Sequence, residues 1–187
     1  DGIKNITSGE GGCVLSDDKD VISKIKDSRL LGVEKDTENR YRGKRSWEFD
    51  VKTQGWRYHM SNIMGAIGLE QLKRFPKLSN KRKQLAKKYF ALLKNTKDIN
   101  LLNLDLENVV MHIFPIVLEK ADVRDKIRID LKKEGIETGI HYFPNHLLTY
   151  FSLNPNYELK VTENLFNRLL TLPLHPDLSE KDLEYIV

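Results

Sequence analysis

The sequence predicts an α/β chain, and three observations carry that prediction. A short apolar run, Gly12–Ser16, precedes an acidic helix start at Asp17-Asp18. A long stretch from Leu78 carries Leu85, Tyr89 and Leu92 at helical spacing. Beyond it the texture changes to short alternating units of strand, helix and strand, the order of a small α/β domain over about residues 77–187.

Taken in order, "GCVLS" reads as a buried strand, and Val21, Ile22 and Ile25 then fall on one face of a helix. From Glu34 to Arg45 the chain is almost wholly polar and reads as an exposed, mobile loop. Met60, Ile63, Met64, Ile67 and Leu72 form an apolar stripe, so a helix is expected there, with Pro76 breaking it before the long second helix. Val109–Leu118 reads as a strand. Val123, Ile127 and Leu131 line a helix ended by Gly135, and Ile136–Tyr142 reads as a further strand. Thr162 and Ser179 are the expected N-caps of two closing helices.

Composition narrows the function classes. The net charge of +4 comes from cations interleaved with carboxylates, and the cluster Lys81, Arg82, Lys83, Lys87 and Lys88 reads as a solvated helix face. With no recognition motif beside it, nucleic acid is not an expected partner. The longest mostly apolar run, Val109–Leu118, holds His112 and Pro115 and is too short to span a bilayer, so no membrane is expected either. Cys13 is the sole cysteine, which excludes an internal disulfide and a cysteine-rich zinc site and fits a cytoplasmic home. No pair of histidines and carboxylates has metal-ligand spacing, so no metal is expected.

The stretch "KNITSGEGG" carries the chemistry. Lysine forms Schiff bases with carbonyl compounds, provided its surroundings favour the uncharged amine. Glycines after Lys4 let backbone approach a bulky group closely. A P-loop is excluded, because there the lysine follows the glycines. On chemistry alone Lys4 is one lysine among many, and a surface role stands beside the catalytic one.

Three more stretches follow in the same order: "GWRYHMSNIMGAIGLEQL" from Gly55, "GIHYFPNHLLTYF" from Gly139 and, more weakly, "TLPLHPDLSEKDLEYIV" from Thr171. With the lysine loop they resemble the DegT/DnrJ/EryC1/StrS family of pyridoxal-phosphate-dependent nucleotide-sugar aminotransferases, across essentially the whole chain. The resemblance implies fold type I, the aspartate-aminotransferase-like fold, with residues 1–76 ending the large cofactor-binding domain and residues 77–187 forming the small C-terminal α/β domain with its long connecting helix. Family members are about twice as long, so the chain corresponds to their C-terminal half. The other half is expected to carry the aromatic that stacks on the cofactor, the Asp at its pyridine nitrogen and most of its phosphate-binding hydroxyls.

The resemblance also implies roles. Lys4 holds pyridoxal 5′-phosphate (PLP) and moves the proton in a ping-pong transamination, with glutamate as donor and a nucleotide-diphospho-keto-sugar as acceptor. Lys4 is also the cofactor-binding lysine, and argues against the family branch that has histidine there and eliminates instead. Arg57 stands where most members have an asparagine that reaches across a homodimer interface to the cofactor phosphate; arginine can also bind phosphate. His59 stands where arginine is common, and no role is assigned to it. His141, Tyr142 and His146 match positions near the substrate, whereas His112 and His175 read as structural. Arg40, Arg42, Lys44 and Arg45 could meet a nucleotide diphosphate, against the simpler reading of a solvated loop. Two alternatives stay open: an aminotransferase for a non-sugar ketone, and a non-catalytic α/β binding module in which the Lys4 loop is only a turn.

Overall fold

A computed structural model of the chain describes residues 4–34, 39, 42–44, 47, 49–152 and 158–187. They form two compact units. One is Ile6–Lys73; the other gathers Lys4 and Asn5 with Arg74–Val187. Arg40 and Arg45 of the charged loop lie outside the described residues, while Arg42 and Lys44 are exposed.

In the first unit, helix α1 (Lys19–Ser28) starts where the acidic pair predicts. The Asp18 carboxylate accepts hydrogen bonds from the backbone N–H groups of Asp20 at 2.8 Å and Val21 at 3.3 Å, which satisfies two otherwise unpaired donors. The expected strand at Gly12–Ser16 is not formed. Those residues are irregular and exposed, because a strand needs a partner's backbone and no described segment pairs with them. After the loop, residues 55–58 lie along the end of α1: Trp56 donates to Ser28 at 2.7 Å, and its carbonyl accepts from Leu31 at 3.0 Å. A Cβ on Gly55 would sit 1.9 Å from the Gly32 nitrogen, so the crossing of the two backbones requires glycine.

Helix α2 (Asn62–Leu93) contributes to both units and corrects the expectation of a break, because Pro76 lies inside it. Proline removes one bond, to the carbonyl of Leu72, and Leu72 is exposed, so water can satisfy that oxygen. Leu85, Ala86, Tyr89 and Leu93 then hold the later turns in the core. Arg82 shares that stripe and is buried too, which corrects the reading of the whole basic cluster as a solvated face. Of the remainder, Lys83 and Lys87 pair with Glu107, Lys88 pairs with Glu180 and Glu184, and Lys81 donates to the Pro176 carbonyl at 3.4 Å.

The second unit is built on a three-stranded antiparallel sheet, β1 (Ile99–Leu101), β2 (Phe114–Leu118) and β3 (Leu169–Leu172), in that spatial order. The strand expected over Val109–Leu118 shortens to its second half. Pro115 is tolerated in the central strand for a geometric reason. Thr171, its partner, exchanges both backbone bonds with Gly139 on the far side, so the pair Pro115–Thr171 is a non-hydrogen-bonded one. The missing Pro115 donor therefore faces away from β3, past Leu101 where β1 has ended.

Helix α3 (Arg124–Lys133) packs Val123, Ile127 and Leu131 against the core. It ends at Gly135, in the left-handed region at φ 77°, with Gly135 donating to Lys132 and Ile136 to Leu131. The strand expected over Ile136–Tyr142 reduces to the single bridge Gly139–Thr171. A 3₁₀ turn (Asn145–Leu147) and helix α4 (Lys160–Arg168) lead into β3. Thr162 is not the N-cap of α4: the Glu163 N–H already bonds the carbonyl of Leu159, so the first turn closes before it. Helix α5 (Glu180–Ile186) has the expected Ser179 cap, completed by Asp182 as a capping box. Tyr89, Phe114, Leu170 and Leu183 form the centre of the core. Among the described residues no helix is long and apolar enough to cross a membrane.

Candidate active site

Lys4 lies with the second unit, and the contact that fixes its side chain comes from the segment after Gly139. The Lys4 Nζ donates to the Tyr142 hydroxyl at 3.1 Å and stands 5.5 Å from the centre of the Tyr142 ring. Next to it in sequence, the Asn5 side chain donates to the Val110 carbonyl at 3.3 Å, tying the loop to the approach to β2. Lys4 is exposed, and its polar partner among the described residues is a phenol, not a carboxylate.

His141 and Tyr142 are joined by a cis peptide, and their rings meet edge to face with centroids 4.7 Å apart. The His141 Nδ1 lies 3.0 Å from the Thr171 hydroxyl. Burial pushes the His141 imidazole below its ordinary value, and the Lys4 charge pushes it the same way. His112 is lowered as well, by burial first and then by Lys4, His141 and Arg82. Two imidazoles, an amine and a phenol thus share one neighbourhood. The Arg82 guanidinium, lowered by burial and opposed in this by Asp177, has its Nε and Nη1 buried without a partner.

The remaining expected site residues fall elsewhere. His146 sits in the 3₁₀ turn with its Nε2 3.0 Å from Glu163 of α4. Arg57 belongs to the first unit, exposed and bridged through its backbone to Leu30. Its neighbours Trp56 and Tyr58 stack on each other with centroids 6.1 Å apart and are exposed. In that same unit the glycine loop and the start of α2 line a cleft of about 950 Å³, with Arg29, His59 and Met60 on its wall. A separate cleft of about 520 Å³ in the second unit, walled by Ile116, Val123, Ile127 and Leu131, holds none of the residues expected to do chemistry.

An aldehyde cofactor can be tested against this arrangement. The group that must react with it is a lysine amine, and here that amine is open to solvent and hydrogen-bonded to the Tyr142 hydroxyl. A carboxylate would tie the amine up in an ion pair; the phenol leaves it free to exchange its partner for an incoming aldehyde. The donor set therefore fits the aldehyde end of PLP. Sequence reading set His112 aside as structural and missed Gly139 and Thr171 as neighbours of His141. Thr171 had a signal, a polar residue inside the apolar run "LLTLPL".

Comparison with known proteins agrees with the loop and the sheet together. The model of the DegT/DnrJ/EryC1/StrS aminotransferase family matches residues 1–187. The spore coat polysaccharide biosynthesis protein SpsC of Bacillus subtilis is 30% identical over 192 residues, 98% of this chain and 49% of that protein. Helicobacter pylori PseC, an aminotransferase involved in the biosynthesis of pseudoaminic acid, superposes with a TM-score of 0.86 at 29% identity, covering 98% of this chain and 48% of that one. The putative sugar aminotransferase Spr1654 of Streptococcus pneumoniae, in its PLP form, gives 0.80 at 28% identity, with 98% and 47% covered. The chain spans about half the length of these relatives. Its fold is the fold type I architecture of PLP-dependent sugar aminotransferases.

Proposed function

Because the chain belongs to the DegT/DnrJ/EryC1/StrS aminotransferase family, we propose that it supplies the C-terminal half of a PLP-dependent enzyme that aminates a keto carbon of a nucleotide-linked sugar, with glutamate as donor. The observation that carries the reading is Lys4, its amine bonded to a phenol and close enough to two imidazoles for its charge, with burial, to disfavour their protonation. Bound PLP supplies an aldehyde that takes up nitrogen and a conjugated ring that takes up the electron pair of a broken C–H bond.

The residues divide the work. Lys4 holds the aldehyde end and, when released, carries a proton to and from the carbon that gains or loses nitrogen. Tyr142 holds the Lys4 Nζ by its hydroxyl and its ring face. His141, its Nδ1 engaged by Thr171, has Nε2 left to meet a sugar hydroxyl. His146, engaged with Glu163, fastens the segment that carries His141 and Tyr142. Arg57, exposed on its own unit, is assigned to the cofactor phosphate across a homodimer interface, where a guanidinium binds bidentately. In this reading the first unit ends the large domain, the second is the small domain, and the enzyme works in the cytoplasm.

The test is nitrogen transfer by the full-length protein with PLP, ¹⁵N-glutamate and a panel of nucleotide-linked keto sugars. The expected result is ¹⁵N in one sugar with equimolar 2-oxoglutarate, both lost in Lys4→Ala. Release of 2-oxoglutarate with no sugar aminated across the panel would overturn the acceptor class, and no 2-oxoglutarate at all would overturn the reaction.

A further inference from the structure

His141 is held by two residues to which the reaction assigns nothing. Thr171 is buried, 4% exposed, in the middle of β3, where a hydroxyl needs a partner. Its backbone N–H and C=O are both spent on Gly139, at 2.8 and 2.9 Å. Its hydroxyl lies 3.0 Å from His141 Nδ1, so one residue pins the Gly139–His141 segment through backbone and side chain together.

Gly139 forms the floor of the same seat. The His141 ring folds back over it so closely that a Cβ there would stand 2.6 Å from Cε1 and 3.2 Å from Nδ1. Gly139 does not lie in the left-handed region, so its backbone would accept alanine; the ring would not. The edge-on Tyr142 ring closes another side. With Nδ1 fixed, Nε2 is the ring nitrogen left over, and it has no protein partner among the described residues.

We propose that Gly139 and Thr171 are positioning residues that fix the plane and depth of the His141 ring, so that its Nε2 is presented as a hydrogen-bonding group to a hydroxyl of the sugar acceptor. This rests on the aminotransferase reading given above. Neither residue touches substrate; both act through His141. The hydroxyl specifies which nitrogen faces inward, and the bare Cα specifies how deep the ring sits. A ring displaced by about an ångström loses an aimed hydrogen bond, an error that costs up to about 100-fold in rate.

The experiment uses the full-length, PLP-loaded protein with two readouts. The first is the ¹⁵N spectrum of labelled histidine near pH 7, assigned through His141→Ala. Thr171→Val is expected to move the His141 Nδ1 resonance as its hydrogen bond to the hydroxyl is lost, and Thr171→Ser to restore it. An unmoved resonance in Thr171→Val would overturn the seat whatever the activity. The second is a double-mutant cycle on kcat/KM for the sugar. Gly139→Ala and His141→Ala are each expected to lower it by about 10- to 100-fold, and their losses are expected not to add. Fully additive losses would show that Gly139 acts independently of His141 and would sink the proposal. Borohydride trapping of PLP on Lys4 in the same samples separates the two layers. A Lys4 adduct with additive losses removes the positioning roles alone, and a wild-type protein with no adduct removes the aminotransferase reading beneath them.

Discussion

Helix α2 carries one apolar stripe but two environments. In its second half Leu85, Ala86, Tyr89 and Leu93 are at most 8% exposed, packed under Phe114 and Leu170. In its first half Ile63 is 73% exposed and Leu72 56%, and the first unit as a whole buries no apolar side chain among the described residues. The spacing is equally helical in both halves. Periodicity therefore states which face is to be covered, and tertiary context alone states what covers it. Exposed apolar surface of this kind is what another protein surface takes up, as the remainder of the proposed enzyme and its partner subunit would.

Substitutions should sort along this divide. Phe114→Ala empties the place where Tyr89 and Phe90 meet it, with centroids 4.6 and 5.3 Å away, and is expected to cost about 3–5 kcal/mol in urea unfolding. A loss under about 1 kcal/mol would mean the core is not centred there. Tyr89→Phe keeps the packing but removes the hydroxyl donated to the Pro173 carbonyl at 2.9 Å. Burial raises the Tyr89 phenol, so the group stays neutral and the loss is that one bond, about 1–2 kcal/mol.

Glu107 gives a smaller, pH-dependent effect. Its hydrogen bonds and charge pairing with Lys83 and Lys87 lower its carboxyl from 4.5 to about 2. The unfolded chain thus binds the extra proton first, and the contribution is complete above pH 4.5 and lost as pH falls towards about 2. Glu107→Gln should flatten that part of the acid unfolding curve; an unchanged slope would mean the pair is not formed in solution. Smallest of all is Ile63→Ala, expected to shift unfolding by less than about 0.5 kcal/mol. The same change should loosen self-association of the full-length protein in sedimentation, and a large unfolding effect without that loosening would erase the contrast between the two halves of α2.

Much of the second unit was legible because its signals are local. Ser179 caps, Gly135 stops a helix, and Leu85 and Tyr89 mark a stripe, all within a few residues. What was not legible depends on partners far away in sequence. "GCVLS" has strand composition but no strand to pair with among the described residues, Pro76 continues a helix that later packing supports, and Arg82 is drawn into the core by its place on the Tyr89 stripe. The site divides the same way. Lys4 stood out by its motif, but its bond to Tyr142, 138 positions later, and the meeting of His141 with Gly139 and Thr171 exist only in the fold.

The measurement that tests the central claim most directly is borohydride reduction of the full-length protein with PLP, followed by peptide mass mapping. The account predicts a pyridoxyl adduct on Lys4, absent from Lys4→Ala. A folded full-length protein that takes up no label at Lys4, or takes it up at another lysine, would contradict it.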